Sequence, residues 1–349
     1  MDNFLSEDVK EIYNRLADEE SKIIFENRLL YSLTGEMEYI YRIVKTIPEG
    51  NECLEKLESK KRKVIFGAGV WGKNILHAYR EKCAIDCFID NSIREGNRSY
   101  CEGVPVISMQ DYLKKSEDSF IIISSRLYHQ EIFEKLMSSG ISQNTVINMG
   151  RMIDNMSKRQ YFDLPILEKL RTEQEIFVDG GAFDGKTSLE FHKWCHGKFR
   201  KIYLFEPDVS NREKCENSLK EILQRVEIIS KGLWNKEETI KFTSMGNGAS
   251  YIGETDASYE IRVTAMDEVI RERVTFIKLD IEGSEYQAIC GAERLIKTHN
   301  PKLAISVYHK PEDIWKLPKL LLSYNRNYSF YLRHYSLAAS ETVLYAIPN

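Results

Sequence analysis

VDGGAFDGKTS, residues 178–188, follows an apolar run (Ile176, Phe177) and leads into a segment of helical spacing that ends near Trp194. A strand that closes on an acidic residue and turns through Gly180, Gly181 and Gly185 into a helix is the ligand-facing corner of an open α/β sheet. Glycines there let the backbone approach a ligand that a Cβ would hit. The spacing is not GxGxxG, and Asp179 and Asp184 bracket the glycines. Carboxylates are the wrong sign for a pyrophosphate seated on a helix N-terminus. They suit a ligand that carries an ammonium and a sulfonium, which S-adenosylmethionine (SAM) has and NAD lacks. The expected cofactor loop is Asp179, Gly180, Gly181, Ala182, Gly185 and Ser188; the plain alternative is a tight strand-to-helix turn.

Downstream, the alternation of strand and helix continues. The apolar run 202–205 ends on Glu206, 25 residues after Gly181, where a carboxylate at the tip of the second strand can accept hydrogen bonds from both ribose hydroxyls. That placement alone fits NAD equally well. Further strands are expected at 226–230, 276–279 and 303–307, with excursions at 239–243 and 262–264. Runs at 329–333 and 343–347, separated by polar residues, predict an antiparallel pair at the sheet edge. A parallel sheet finished by such a hairpin is the arrangement of class I SAM methyltransferases.

IKLDIEGSE (277–285) ends the fourth strand of this unit. Asp280 and Glu282, two apart on extended chain, are expected to face the same cleft as Asp179. They could position or deprotonate an acceptor hydroxyl, or hold a divalent cation together with His309, which follows the fifth strand. Asp280 also reads as a helix cap, His309 as a surface histidine, and Glu285 as a solvated first residue of a helix. His334 and Tyr335 could line an acceptor pocket or pack at the edge. Asp267 reads as an N-cap, and the small-residue loop 246–251 as a hairpin turn or a cover over the cofactor.

The chain from about residue 160 resembles the FkbM family of SAM-dependent methyltransferases. The runs that carry the likeness are YFDLP, VDGGAFDGKTS, LFEPD, GLWN, GNGAS, IKLDIEGSE, SVYHK and the closing LRHYS and ETVLYAI. The resemblance implies a class I methyltransferase fold with SAM as cofactor. Asp179, Gly181 and Glu206 then lie on the cofactor side, with Asp280 and Glu282 near the transferred methyl. It also implies O-methylation of sugars, polysaccharides or natural products, without fixing the acceptor.

Upstream, a strand at 64–66 is followed by GAGVWG (67–72) and a helix, and a second strand ends on Asp90, 18 residues after Gly72. By spacing, Gly67, Gly69, Gly72 and Asp90 form a dinucleotide fingerprint. The βαβ unit ends near Gly150, which is short for a complete NAD domain. With IDNS at 89–92 it resembles the small nucleotide-sugar-binding domains of sugar-modifying bacterial enzymes. Before it, residues 6–57 carry apolar positions at helical spacing with Gly35 and Pro48 as breakers, and two or three helices are expected there as a packing or oligomerisation element. The expected division is a helical segment at 1–60, a Rossmann-like domain at 61–155 and a methyltransferase domain at 156–349.

Composition narrows the partners. At roughly 100–200 residues per domain, 349 residues suggest two or three domains. The balance of 49 basic and 53 acidic side chains gives a net charge of −4 and no electrostatic case for nucleic acid or an anionic membrane. No apolar run is long enough to span a bilayer, and the N-terminus is acidic where a signal peptide is basic and apolar. Seven scattered cysteines read as reduced thiols, so a cytoplasmic chain is expected. Cys83 and Cys87 lack the partners of a zinc set. Two other functions compete with SAM-dependent methyl transfer to a sugar, glycan or small-molecule hydroxyl. One is an NAD-dependent oxidoreductase acting on a nucleotide sugar through GAGVWG, the other a non-catalytic nucleotide-sugar-binding scaffold joined through the N-terminal helices.

Overall fold

The computed structural model describes residues 2–115, 118–244, 250–251 and 258–349. The chain forms two compact units: one of Met1–Thr34, Arg159–His334 and Ser340–Asn349, the other of Gly35–Lys158 with Tyr335–Ala339. These limits differ from a division at residues 60 and 155. The first two helices, α1 (Asp2–Asn14) and α2 (Glu19–Thr34), pack into the larger unit, whereas α3 (Met37–Val44) and α4 (Pro48–Glu58) go with the smaller one. Gly35, at φ +73°, ends α2, and Pro48 opens α4 at a position where its missing N–H costs nothing. Four helices therefore stand where two or three were expected.

The smaller unit is built on β1 (Arg62–Phe66), β2 (Cys87–Ile89), β3 (Ser99–Cys101), β4 (Val104–Ile107), β5 (Ser119–Ile123) and β6 (Val146–Ile147). Their order is β3-β4-β2-β1-β5-β6, parallel except for β3 against β4. Helices α5 (Val70–Tyr79), α6 (Met109–Lys115), α7 (His129–Ser138) and α8 (Met149–Arg159) accompany the sheet. Its strands read as apolar runs because a parallel sheet is covered on both faces. Phe66, Ile89, Ile121 and Ile123 lie in one buried cluster with Tyr112 and Leu136.

The larger unit has a seven-stranded sheet of order β16-β17-β15-β14-β7-β8-β9. Its members are β7 (Ile176–Gly180), β8 (Lys201–Phe205), β9 (Val226–Ile229), β14 (Phe276–Leu279), β15 (Lys302–Ser306), β16 (Tyr328–His334) and β17 (Thr342–Pro348). The first five are parallel; β17 runs antiparallel to β15, and β16 antiparallel to β17. The expected hairpin is thus present, with its second strand inserted next to β15. The order reverses between β7 and β14, and ligands of open α/β sheets bind at the carboxyl ends of strands beside such a switch point. The expected excursions are β11 (Glu238–Ser244) and β13 (Ser258–Thr264), which pair antiparallel in a small sheet with β10 (Gly232–Leu233) and β12 (Ser250–Tyr251). Residues 246–249 of the loop quoted above lie outside the described residues. The helices are α9 (Pro165–Leu170), α10 (Lys186–Trp194), α11 (Val209–Ser218), α12 (Met266–Val269), α13 (Glu285–Cys290), α14 (Glu293–His299) and α15 (Asp313–Tyr324).

The N-terminal helices do a specific job in this unit. The turn between α1 and α2 pairs along the open side of β16: Ala17 N donates to Phe330 O (2.8 Å), and Phe330 N to Arg15 O (2.9 Å). Ser21 Oγ accepts from Leu332 N (2.9 Å), and Arg333 pairs with Asp18 (2.6 Å). An exposed strand edge invites pairing with other chains; here residues 15–21 cover it. Asp267 is not the cap of its own helix α12, which starts after Ala265. Its carboxylate takes the N–H groups of Arg294 and Leu295, the first turn of α14.

Candidate active site

The glycine loop leaves the carboxyl end of β7. A Cβ on Gly181, at φ +77°, would sit 2.0 Å from the backbone oxygen of Asp280, and one on Gly180 within 2.8 Å of Leu233 and Leu279 side chains. A Cβ on Gly185, φ +78°, would press on Cys215 Cα at 3.2 Å. The chain's own packing therefore accounts for Gly181 and Gly185, whereas the sequence reading attributed all three to ligand clearance. Ala182 is buried beside them.

Asp179 is fully buried. Its carboxylate takes the hydroxyl proton of Ser188, the third residue of α10 (2.7 Å), and lies 3.1 Å from Lys278 Nζ on the neighbouring strand. Lys278 is equally buried and also donates to the carbonyls of Gly180 (3.1 Å) and Gly181 (2.8 Å), so it holds the loop from below. Burial pulls the Lys278 ammonium down, but Asp179 and then Asp280 outweigh it and hold the charge on. Asp179 is thus spent inside the protein, while Asp184, half-buried, pairs with Lys186.

Glu206, at the tip of β8, is buried. Its two oxygens accept the N–H of Phe183 (2.9 Å) and of Asp208 (3.0 Å). Burial raises its pKa, and these N–H groups oppose the shift. The Asn211 side chain also hydrogen-bonds the carboxylate, whose four acceptor positions still leave room for a ligand hydroxyl.

Asp280, Glu282 and His309 come together at the ends of β14 and β15. His309 Nε2 is 3.5 Å from Asp280 Oδ1 and 3.4 Å from Glu282 Oε2. Its other nitrogen, Nδ1, lies 3.0 Å from Oε1 of Glu285, an ion pair off the axis of a straight hydrogen bond. Glu285 does begin a helix, α13, but it is fully buried rather than solvated, and Ile281 N donates to the same Oε1 (2.9 Å). His309 is accordingly no surface histidine. Tyr161 Oη donates to Asp280 Oδ2 (2.8 Å), and Tyr308 Oη reaches Asp280 Oδ1 (3.3 Å) and Glu341 Oε1 (3.4 Å). Gln160 holds the other Glu341 oxygen (2.7 Å).

The electrostatics follow from crowding carboxylates around one ring. Burial raises Asp280, but His309, Lys278 and Tyr161 reverse it and leave the group below the usual range. Glu282 is pushed up to about 7, mainly by burial, and Glu341 to about 6 by burial and Asp280. Burial lowers His309, yet Glu285, Asp280 and Glu282 together carry it up to about 9. Tyr161, Phe183, Glu282 and Glu341 all have φ between +53° and +77°. Non-glycine residues held there are strained and gather at functional sites.

Tyr161, Lys278, Tyr308 and Glu341 were not singled out from the sequence, although each lies in a run quoted for the family likeness. His334 is buried on Thr342 Oγ1 across the hairpin (2.8 Å), a packing role. Asp280, Glu285 and His309 bring ligand atoms within 4.8 Å of one another. The same atoms face one another as ion pairs, Glu285 at His309 Nδ1 and Asp280 and Glu282 at Nε2. We assign no metal to Asp280, Glu282 and His309.

In the smaller unit, a Cβ on Gly72 would fall 2.0 Å from Gly67 O, and one on Gly67, φ +105°, 2.6 Å from Ser124 Oγ; Gly69 has open space. Asp90 accepts from Ala68 N (2.8 Å) and Ser92 N (2.9 Å), tying the glycine turn to β2. The seven cysteines are unpaired, and among the described residues no helix is long and apolar enough to cross a membrane.

Residues 179–332 match the family model of the methyltransferase FkbM domain, and residues 59–147 that of the C2185-like N-terminal domain. No curated protein matches the chain. Among solved structures, the methyltransferase FkbM from Methylobacillus flagellatus KT is similar over 90% of this chain and 100% of its own, with 20% identity and a TM-score of 0.53. An rRNA methylase from Streptococcus thermophilus matches 52% of this chain and 91% of its own (15% identity, TM-score 0.35). Fibrillarin from Aeropyrum pernix, with natively bound SAM, matches 55% and 76% (12% identity, TM-score 0.34). Residues 179–332 therefore carry an FkbM methyltransferase domain, of a SAM-dependent class, within a unit of the class I methyltransferase fold.

Proposed function

We propose that this protein methylates a hydroxyl group of a sugar, glycan or related small molecule, with Asp280, Glu282 and His309 at the acceptor. The observation that carries this reading is the cluster of carboxylates around His309 at the ends of β14 and β15. Carboxylates accept hydrogen bonds from the several hydroxyls of a polyol and can take one of their protons. The acidic character of the site also fits SAM, whose charges are an ammonium and a sulfonium. Glu206 would hold the ribose hydroxyls through its remaining lone pairs, and the backbone of Gly180, Gly181 and Ala182 would line the cofactor. When bound, SAM supplies a methyl group activated by a positive sulfur. The remaining work falls to the chain: aligning the acceptor oxygen, excluding water and removing a proton. A cytoplasmic location belongs to the same reading, in line with seven unpaired cysteines.

The oxidoreductase alternative rests on the GAGVWG turn, where Gly67 and Gly72 are packed against the chain and Gly69 faces open space; it leaves the carboxylate cluster around His309 without a role. Transfer of labelled methyl from SAM to a panel of nucleotide sugars and cell-surface glycans tests the reading, alongside calorimetric binding of SAM and S-adenosylhomocysteine. Labelled product from a hydroxyl acceptor supports it. Tight NADH binding with no response to SAM overturns it.

A further inference from the structure

We propose that His309 is a positioning residue locked as an imidazolium by Glu285, and that Glu282 is the catalytic base that takes the acceptor's proton. This assignment rests on the methyl-transfer reading above. A neutral imidazole offers one N–H and one lone pair. His309 meets a carboxylate oxygen at each nitrogen: Glu285 at Nδ1 (3.0 Å), Glu282 (3.4 Å) and Asp280 (3.5 Å) at Nε2. These contacts are ion pairs rather than straight hydrogen bonds; a neutral tautomer would turn one ring lone pair toward a carboxylate oxygen, so three carboxylates around one buried ring favour the doubly protonated form. Such a ring has nowhere to accept a proton.

The carboxylates divide by what already holds them. Glu285 is fully buried and takes Ile281 N on the oxygen that faces His309. Asp280 is engaged by two tyrosine hydroxyls as well as the ring. Glu341 is held by Gln160 and Tyr308. Asp313, buried at the start of α15, accepts from Lys310 N (2.9 Å). Glu282 pairs with His309 alone among the described residues, and its side chain is 30% exposed, the largest exposure in the contacting set. It is therefore the member with a free oxygen at the open side. Its affinity near 7 matches a base that works at neutral pH, while that of His309 near 9 keeps the ring charged. The groups facing His309 in this balance are Glu285, Asp280, Glu282, Asp313 and Glu341.

In the step itself, the acceptor oxygen bonds to the methyl carbon as its proton passes to the Glu282 carboxylate. The electron pair of the breaking carbon–sulfur bond stays on sulfur, which ends as a neutral thioether. His309 keeps both protons and its charge throughout, fixing the orientation of Glu282 and Asp280.

Two measurements on the full chain test this. The first is a pH titration of ¹⁵N-labelled imidazole by NMR, with His309 assigned by its loss in His309→Gln. The wild-type ring is expected to stay doubly protonated to about pH 8, and Glu285→Gln to lower its titration by about two units. A wild-type midpoint near the ordinary 6.5, or a resonance shift on adding Mg²⁺ alone, overturns the locked ring; this arm stands even if Glu285→Gln fails to fold. The second is the pH profile of methyl transfer from labelled SAM to the best acceptor of the glycan panel. Glu282→Gln is expected to lose at least 100-fold in rate together with the acid limb near pH 7, while SAM affinity stays within 3-fold; Glu282→Asp is expected to restore part of the rate. A Glu282→Gln enzyme with near wild-type rate overturns the base assignment. A wild-type chain that binds no SAM defeats the methyl-transfer reading and the base with it, whereas the NMR titration still decides the locked ring.

Discussion

Lys278 Nζ lies 3.1 Å from Asp179 Oδ1, with both side chains closed to solvent. The lysine's remaining protons go to the carbonyls of Gly180 and Gly181, so a single buried charge sets the shape of the loop at the end of β7. Removing one partner of a buried pair strands the other. Lys278→Met is expected to cost about 3–5 kcal/mol in urea unfolding at pH 7. The double variant Lys278→Met with Asp179→Asn should recover more than half of that loss. Equal losses in the single and double variants would show that the pair itself contributes little.

Glu206 keeps its lone pairs for a ligand only while its carboxylate stays where Phe183 and Asp208 hold it. Glu206→Ala is expected to weaken SAM and S-adenosylhomocysteine binding by about 10- to 100-fold, the range of one hydrogen bond to a charged group. Isothermal titration reads this directly. Unchanged affinity would remove Glu206 from the cofactor side.

The charge on His309 makes stability depend on pH. Its affinity stands at about 9 in the folded chain, against about 6.5 when unfolded. Between these values the folded state holds a proton that the unfolded state has lost, so stability falls as pH rises. The contribution is complete below pH 6.5 and gone above about 9, and its size is at most about 3 kcal/mol. Glu282 and Asp313, both raised to about 7, add a decline of the same sign between about pH 4.5 and 7. Urea unfolding at intervals from pH 6 to 10 should show the full alkaline fall in wild type and a smaller one in His309→Gln, from the carboxylates alone. Stability rising with pH across that window would contradict the sign.

Ser21 Oγ accepts from Leu332 N and donates to Asp18, which in turn pairs with Arg333. Ser21→Ala is expected to cost about 1–2 kcal/mol, because a buried N–H on the edge strand loses its partner. Deleting residues 1–34 should do more than destabilise: with the edge of β16 open, size-exclusion chromatography is expected to show association where the full chain gives its ordinary profile. A truncated chain with unchanged elution and unfolding midpoint would refute the covering role.

The strands of the larger unit were legible because each is a short apolar run closed by a carboxylate or a glycine, as at Asp179, Glu206 and Asp280. The hairpin of β16 and β17 was legible from alternation. Asp280, Glu282 and His309 could be expected in one place because parallel strands bring their carboxyl ends together. What could not be read depends on who sits across from whom. Lys278 looks like a surface residue in any sequence window, and its burial follows only from Asp179 on the adjacent strand. Glu285 carries a helix-start signature, and only the placement of His309 after β15 turns it inward. The crowding at Gly181 comes from a backbone oxygen 99 residues away, at Asp280, which no spacing rule reports. The role of residues 15–21 depends on an edge strand more than 300 residues later.

That last pairing carries a consequence for how the chain is made. Ser21 meets Leu332 across 311 residues of sequence, and the whole of residues 35–158 is synthesised between the covering turn and the first strand of the sheet it covers. Contacts so distant in sequence form late and slowly. Residues 35–158, all of the smaller unit but its segment 335–339, can therefore condense while the ribosome is still producing β7, whereas the methyltransferase sheet has no edge to close on until β16 has emerged. During that interval helices α1 and α2 wait without their partner, and the catalytic unit, though it starts first, is the part of the protein that finishes last.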